Sequence, residues 1–202
     1  MPKSNTALIV VDIQNDFCPG GALAVTDGDL IIPRVNAMLG DFGAVIFTQD
    51  WHPADHSSFV SQHPGAAPYS QFQLSYGPQT LWPDHCIQGS PGAEFHPDLR
   101  VDAAELILRK GFRAGIDSYS AFFENDHRTG TGLPGYLTTR GITSVTLVGL
   151  ATDYCVAYSA LDAIRLGFET RVLLACTRGI DIGGSLAAAT DKMRDAGVTL
   201  VA

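Results

Sequence analysis

Basic residues are scarce and scattered. The chain sets 13 Lys and Arg against 21 Asp and Glu, for a formal net charge of −8, and no stretch gathers the cations. Without a basic cluster it carries no electrostatic footprint for nucleic acid or an anionic membrane surface, so neither is expected as a partner. Long hydrophobic runs are missing as well: the apolar stretches are strand-sized, far short of a membrane span. Cysteine is sparse, with four residues at irregular spacing, which reads as cytosolic thiols and not as a disulfide framework. Met1-Pro2-Lys3-Ser4-Asn5 leads directly into a strand-like run, so no secretory leader is expected and the protein is read as cytoplasmic. Repeats, low-complexity tracts and composition breaks are also absent. The 202 residues are therefore expected to form one domain, and a homo-oligomer is compatible with the sequence.

Six short, near-continuously apolar runs alternate with helical patterns. The runs fall near 6–12, 44–48, 105–110, 144–149, 170–174 and 199–201. Such runs suit strands covered on both faces. Helical patterns fall near 29–39, 133–140, 152–166 and 185–196, two of them stopping at Gly141 and Gly167. The alternation predicts a three-layer, doubly wound α/β fold, with a mostly parallel six-stranded sheet and helices on both faces. The stretch from about 49 to 102 breaks the pattern, being rich in Pro, Gly, Ser, His and aromatics. Loops this long are usually functional or disordered, and its aromatics and histidines argue for an active-site loop region.

Three reactive side chains close three different strand-like runs. Asp12 follows Ala7-Leu8-Ile9-Val10-Val11, Lys110 closes Glu105-Leu106-Ile107-Leu108-Arg109, and Cys155 lies just past Val145-Thr146-Leu147-Val148-Gly149-Leu150. The carboxyl ends of parallel strands share one rim, so acid, ammonium and thiol are expected to be neighbours. A carboxylate at a strand end is poorly solvated, and it needs a cation beside it or a proton to exchange. Thr152 is a credible N-cap, which would set Cys155 in a first helical turn that favours thiolate. Backbone N–H groups of Cys155 and the preceding loop could then hold an oxyanion. A cysteine taken at random is more often a buried structural thiol, as we read Cys18 and Cys176.

Asp50 and His52 are two residues apart in an extended segment, so they point the same way, and His85 in the long loop could complete a metal site. Two imidazoles and one carboxylate leave coordination positions open and suit Zn, Fe or Mn. His56 is a plausible fourth ligand, or a neighbour that orients one of the others. His63, His96 and His127 lack such company and are read as surface or structural residues. Phe17, Trp82, Tyr119 and Tyr154 sit in loops expected to reach the rim, where a flat heteroaromatic ligand would need such walls.

The chain resembles the nicotinamidase family within the isochorismatase-like cysteine hydrolases. The resemblance rests on Val10-Val11-Asp12-Ile13-Gln14-Asn15-Asp16-Phe17-Cys18-Pro19-Gly20-Gly21-Ala22-Leu23, on Asp50-Trp51-His52-Pro53 and on Trp82-Pro83-Asp84-His85-Cys86. It continues with Lys110-Gly111 and Gly149-Leu150-Ala151-Thr152-Asp153-Tyr154-Cys155-Val156, in order over essentially the whole chain. It implies hydrolysis of nicotinamide to nicotinate and ammonia through a cysteine thioester, with pyrazinamide as a second substrate. Asp12, Lys110 and Cys155 then carry over as the catalytic set, and the N–H groups of Ala151 and Cys155 as oxyanion donors. Phe17, Leu23, Trp82, Tyr119 and Tyr154 become the substrate-binding residues. Asp50, His52 and His85 carry over as ligands to one divalent ion that takes the pyridine nitrogen, with His56 a direct ligand in some members only. The Leu150–Ala151 peptide is implied to be cis. Two alternatives stand beside this. Other cysteine hydrolases of the superfamily act on carbamoyl or ureido amides, but generally lack the Asp-x-His…His set. An inactive metal-binding relative would not need Asp12, Lys110 and Cys155 intact.

Overall fold

The apolar runs become the six strands of one sheet, because residues with water on neither side lose least by pairing in the middle of the molecule. The structure is a computed structural model that describes residues 3–202. Met1 and Pro2, part of the segment read above as leading into the first strand, lie outside the described residues. In chain order the main elements are β1 (Lys3–Val11), α1 (Ile32–Met38), β2 (Phe42–Asp50), β3 (Gln71–Leu74), β4 (Gly77–Thr80) and β5 (Leu106–Lys110). Then come α2 (Leu133–Thr139), β6 (Ser144–Leu150), α3 (Ala157–Arg165), β7 (Glu169–Arg178), α4 (Ser185–Asp195) and β8 (Thr199–Val201).

The sheet order is β5-β2-β1-β6-β7-β8, and every pairing in it is parallel. The chain winds outward from β1 through β2 to β5, then returns to β6 on the other side of β1. That reversal makes the β1–β6 boundary the switch point, where open parallel sheets bind ligands. Alternate residues of β1 serve different cores. Leu8 and Val10 pack with Ile32 and Val35 of α1, whereas Ala7, Ile9 and Val11 pack with Leu133, Ala157, Ala160 and Met193. One face is therefore covered by α1 and the other by α2, α3 and α4.

At the boundary itself the strands come very close. A Cβ on Gly149, whose φ is +113°, would lie 2.1 Å from the Val11 carbonyl oxygen, so only glycine fits. The helix expected over 29–39 opens with a 3₁₀ turn at Asp29–Ile31, and that over 152–166 opens with a π-helical turn at Thr152–Val156. Ala151, not Thr152, is the N-cap, and no side chain caps this turn. The N-cap expected at Thr152 is thus corrected. The wider π turn has the Val156 N–H donating to the Ala151 carbonyl (3.1 Å), leaving Thr152 inside the helix and buried.

The region from 49 to 102 is ordered by short pieces. Its antiparallel hairpin, β3 with β4, was not anticipated. Isolated bridges join His52 to Ile87 and Phe59 to Trp82, and another ties Gln14 to Phe95. Among the described residues no helix is long and apolar enough to cross a membrane. The four cysteines are free and buried.

Candidate active site

Parallel register places the reactive groups side by side. Asp50 and Lys110 are direct partners across β2 and β5, and Asp12 leaves β1 in a left-handed conformation (φ +46°). Such a backbone is uncommon outside glycine, though Asp tolerates it better than most residues. Thr48 Oγ1 donates to Asp12 Oδ1 at 2.6 Å and receives the Asp12 N–H at 3.2 Å, which fixes the carboxylate. Lys110 is the hub. Its Nζ lies 2.8 Å from Asp12 Oδ2 and 2.6 Å from Asp50 Oδ1. It also donates to the Ser118 carbonyl at 2.9 Å and to Cys155 Sγ at 3.4 Å. Acid, ammonium and thiol, far apart in sequence, are within bonding reach of one another.

Burial sets the proton balance. It pushes the Cys155 thiol well above its ordinary range, with the Asp12 and Asp50 charges adding to the rise against Lys110. Burial thus works against the thiolate expected from a helix N-terminus. Burial raises Asp12 too, despite Lys110. Burial would lower Lys110 and raise Asp50, but in both cases the partners win. Asp12 and Asp50 hold the ammonium charged, and Lys110 keeps Asp50 ionised.

Beside this cluster, Asp50 Oδ2 lies 3.4 Å from His52 Nε2 and 3.8 Å from His85 Nε2. Two ligand atoms each about 2.1 Å from a tetrahedral ion would sit about 3.4 Å apart, so the three donors suit a shared cation. Each imidazole is also set for it. His52 Nδ1–H donates to the Gly111 carbonyl and His85 Nδ1–H to that of Pro83, both at 2.8 Å. Both Nε2 lone pairs are thereby directed inward. Gly111 must be glycine: its φ is +64°, and a Cβ there would lie 2.4 Å from the His52 ring. His56 stands against His52, ring centroids 4.3 Å apart, but its own nitrogens are engaged. Nε2 faces the Ile116 carbonyl at 3.2 Å and Nδ1 the Ser58 hydroxyl at 2.7 Å. Burial brings its pKa down to about 4, so the ring is neutral.

Phe17, Leu23, Trp82, Tyr119 and Tyr154 all line one cavity, together with Asp50, His52, His85, Ala151 and Cys155. Its aromatic walls suit a flat ring. Trp82 meets Tyr154 edge-on (4.7 Å, 86°), and its Nε1–H donates to the Tyr119 hydroxyl at 2.9 Å. The Leu150–Ala151 peptide, at the floor, is cis.

Several supporting residues had no signal of their own in the sequence. Asp117 and Ile180 complete the cavity wall. Gln14 holds the β2 end, donating to the Asp50 carbonyl (2.9 Å) and accepting the Asp50 N–H (2.8 Å). Asp16 accepts the N–H groups of Ala22 (3.1 Å) and Cys86 (2.7 Å), stapling the first loop to the one that carries His85. Gln14 and Asp16 both lie within the quoted motif, Gln14 fully buried and Asp16 half-buried, without chemistry of their own to mark them in the sequence. His63, His96 and His127 stay outside the site.

A parallel sheet with acid, ammonium and thiol at its switch point, opening into an aromatic cavity, places the chain among doubly wound α/β enzymes with a thiol at the pocket. The chain belongs to the isochorismatase family, whose domain model matches residues 6–202. It is 52% identical over 195 residues to a nicotinamidase of Acinetobacter baylyi, covering 96% of this chain and 91% of that protein. Among solved structures it is similar to a nicotinamidase/pyrazinamidase of Acinetobacter baumanii, with a TM-score of 0.98 and 55% identity over 100% of this chain and 97% of that one. It is also similar to a pyrazinamidase of Pyrococcus horikoshii in complex with zinc, with a TM-score of 0.78 and 37% identity over 98% of each chain.

Proposed function

We propose that the protein hydrolyses nicotinamide to nicotinate and ammonia, and pyrazinamide likewise, through a thioester on Cys155. The observation that carries this is the meeting of Asp12, Lys110 and Cys155 at the edge of an aromatic-lined cavity walled by Asp50, His52 and His85. The identity to a nicotinamidase supports the same substrate.

Bound substrate presents its carboxamide carbon to Cys155 Sγ. As sulfur attacks, the thiol proton passes to Asp12, whose pKa burial raises above the ordinary carboxylate value. The N–H groups of Ala151 and Cys155 hold the tetrahedral oxyanion. Asp12 gives the proton to departing ammonia, then takes one from the water that cleaves the thioester. Lys110 stays charged throughout and steadies the thiolate and the carboxylate. Phe17, Leu23, Trp82, Tyr119 and Tyr154 sandwich and orient the ring.

Asp50, His52 and His85 fit a divalent ion, with zinc in the Pyrococcus relative as support for the class. When bound, the ion supplies a Lewis acid for the ring nitrogen and so fixes orientation. Zn, Fe and Mn all suit these donors. His56 is assigned the role of neighbour to the ligands, since both its nitrogens are occupied. Residues 1–202 act as one domain, with 49–102 its active-site loop region, because His52, Trp82 and His85 all come from there. The four free thiols support a cytoplasmic setting.

Metal-replete protein given nicotinamide is expected to release nicotinate and ammonia in equal amounts. Failure to form nicotinate would overturn the reading. His52→Ala is expected to lose bound metal and raise KM, and an unchanged KM would refute ring binding at this site.

A further inference from the structure

Asp153 precedes the nucleophile by two residues, yet it is absent from the cavity wall. Its buried carboxylate instead accepts three hydrogen bonds from a single distant segment. Oδ1 takes the Ile180 N–H (3.0 Å), while Oδ2 takes the Asp181 N–H (2.9 Å) and the Ser185 hydroxyl (2.5 Å). Ser185 Oγ in turn receives the Ile182 N–H at 2.9 Å. Gly179 packs so closely that a Cβ there would be 3.2 Å from Asp153 Oδ1 and 2.8 Å from Leu186 Cδ1. Asp181, Gly183 and Gly184 all have positive φ (56°, 60° and 86°), so this segment follows a tightly specified path between β7 and α4. Its one side chain in the cavity wall is Ile180.

We propose that Asp153 is a positioning residue, which clamps the 179–185 segment so that Ile180 forms a fixed wall against the bound ring and limits which rings enter. The clamp couples the turn that carries the nucleophile to the surface that receives the substrate. A ring can then be admitted only in register with the sulfur. The inference rests on the nicotinamidase reading for its substrate, but not for its geometry.

Three measurements on Asp153→Asn test it: amide hydrogen exchange at 180–182, the split between kcat and KM for nicotinamide, and the rate at which iodoacetamide labels Cys155. Replacing the carboxylate removes charge-assisted hydrogen bonds, so exchange and KM should each rise about tenfold. kcat and labelling should stay within about threefold, since the nucleophile itself is untouched. Ser185→Ala, which removes one donor from outside the nucleophile turn, should shift exchange and KM the same way by a smaller factor. Ile180→Ala should raise KM and admit ring-substituted nicotinamides. Combined with Asp153→Asn it should add little, because both act through one wall. A fall in kcat or labelling at unchanged KM, unchanged exchange at 180–182, or fully multiplicative effects would overturn the proposal. If the wild-type protein forms no nicotinate, the substrate reading fails, while exchange and labelling still judge the clamp.

Discussion

Lys110 is the residue whose removal should be felt most widely. It is buried against two carboxylates and a thiol, and a pair broken on one side leaves uncompensated charge inside the protein. Lys110→Ala is expected to lower unfolding free energy by about 3–5 kcal/mol as well as abolish turnover. Chemical denaturation checks this, and a loss below about 1 kcal/mol would contradict the buried pairing. Cys155→Ala should cut kcat by about four orders of magnitude or more while leaving metal content intact. Metal lost in that variant would mean that reacting and ring-binding groups are not separate. For Asp12 the sign follows from its role. It must be ionised to take the thiol proton, and burial raises its pKa above the ordinary 3.8. Activity is therefore expected to fall, as pH drops, at a higher pH than a free carboxylate would give. An acid limb of kcat/KM at or below the ordinary value would argue against Asp12 as the base.

Elements set these residues by register and close approach. Gly111 follows β5 and holds His52 from behind, so Gly111→Ala is expected to displace the imidazole and reduce metal bound per chain, read by elemental analysis. All six strands of the main sheet were legible, because continuous apolar runs such as Ala7-Leu8-Ile9-Val10-Val11 have few other uses. Asp12, Lys110 and Cys155 were legible as neighbours for the same reason, each ending or following such a run. The β3–β4 hairpin was not. Phe72, Gln73 and Gln79-Thr80 carry no apolar alternation, and Gly77-Pro78 reads as a break. Nor were Thr48, Asp117 and Ile180, whose roles arise from tertiary packing that no local pattern encodes. The π turn at Thr152–Val156 escaped too, since its spacing looks like that of an ordinary helix.

For the whole molecule, bound ion and folded chain should be linked. Asp50 belongs to the sheet, while His52 and His85 belong to the long region laid over it, so a shared cation would cross-link the two. Stripping the ion with a chelator is expected to lower stability by about 3 kcal/mol for an ion present at a hundred times its dissociation constant. An unchanged melting temperature after verified metal loss would count against such a link. At the outer end of β5, Glu105 is held down to about 2 by the Arg140 guanidinium and the Tyr136 hydroxyl. Its support is present above the ordinary carboxylate value and is lost as pH falls toward about 2, a small, salt-screened part of acid unfolding. The shared ammonium of Lys110 has a wider implication. One amine neutralises a carboxylate on each side, so neither half can be retuned in isolation. A descendant that dispensed with its cation would have to rebalance the charge around its sulfur in the same step, and the grip on the ring and the cleavage of the amide would be inherited, or forfeited, as a unit.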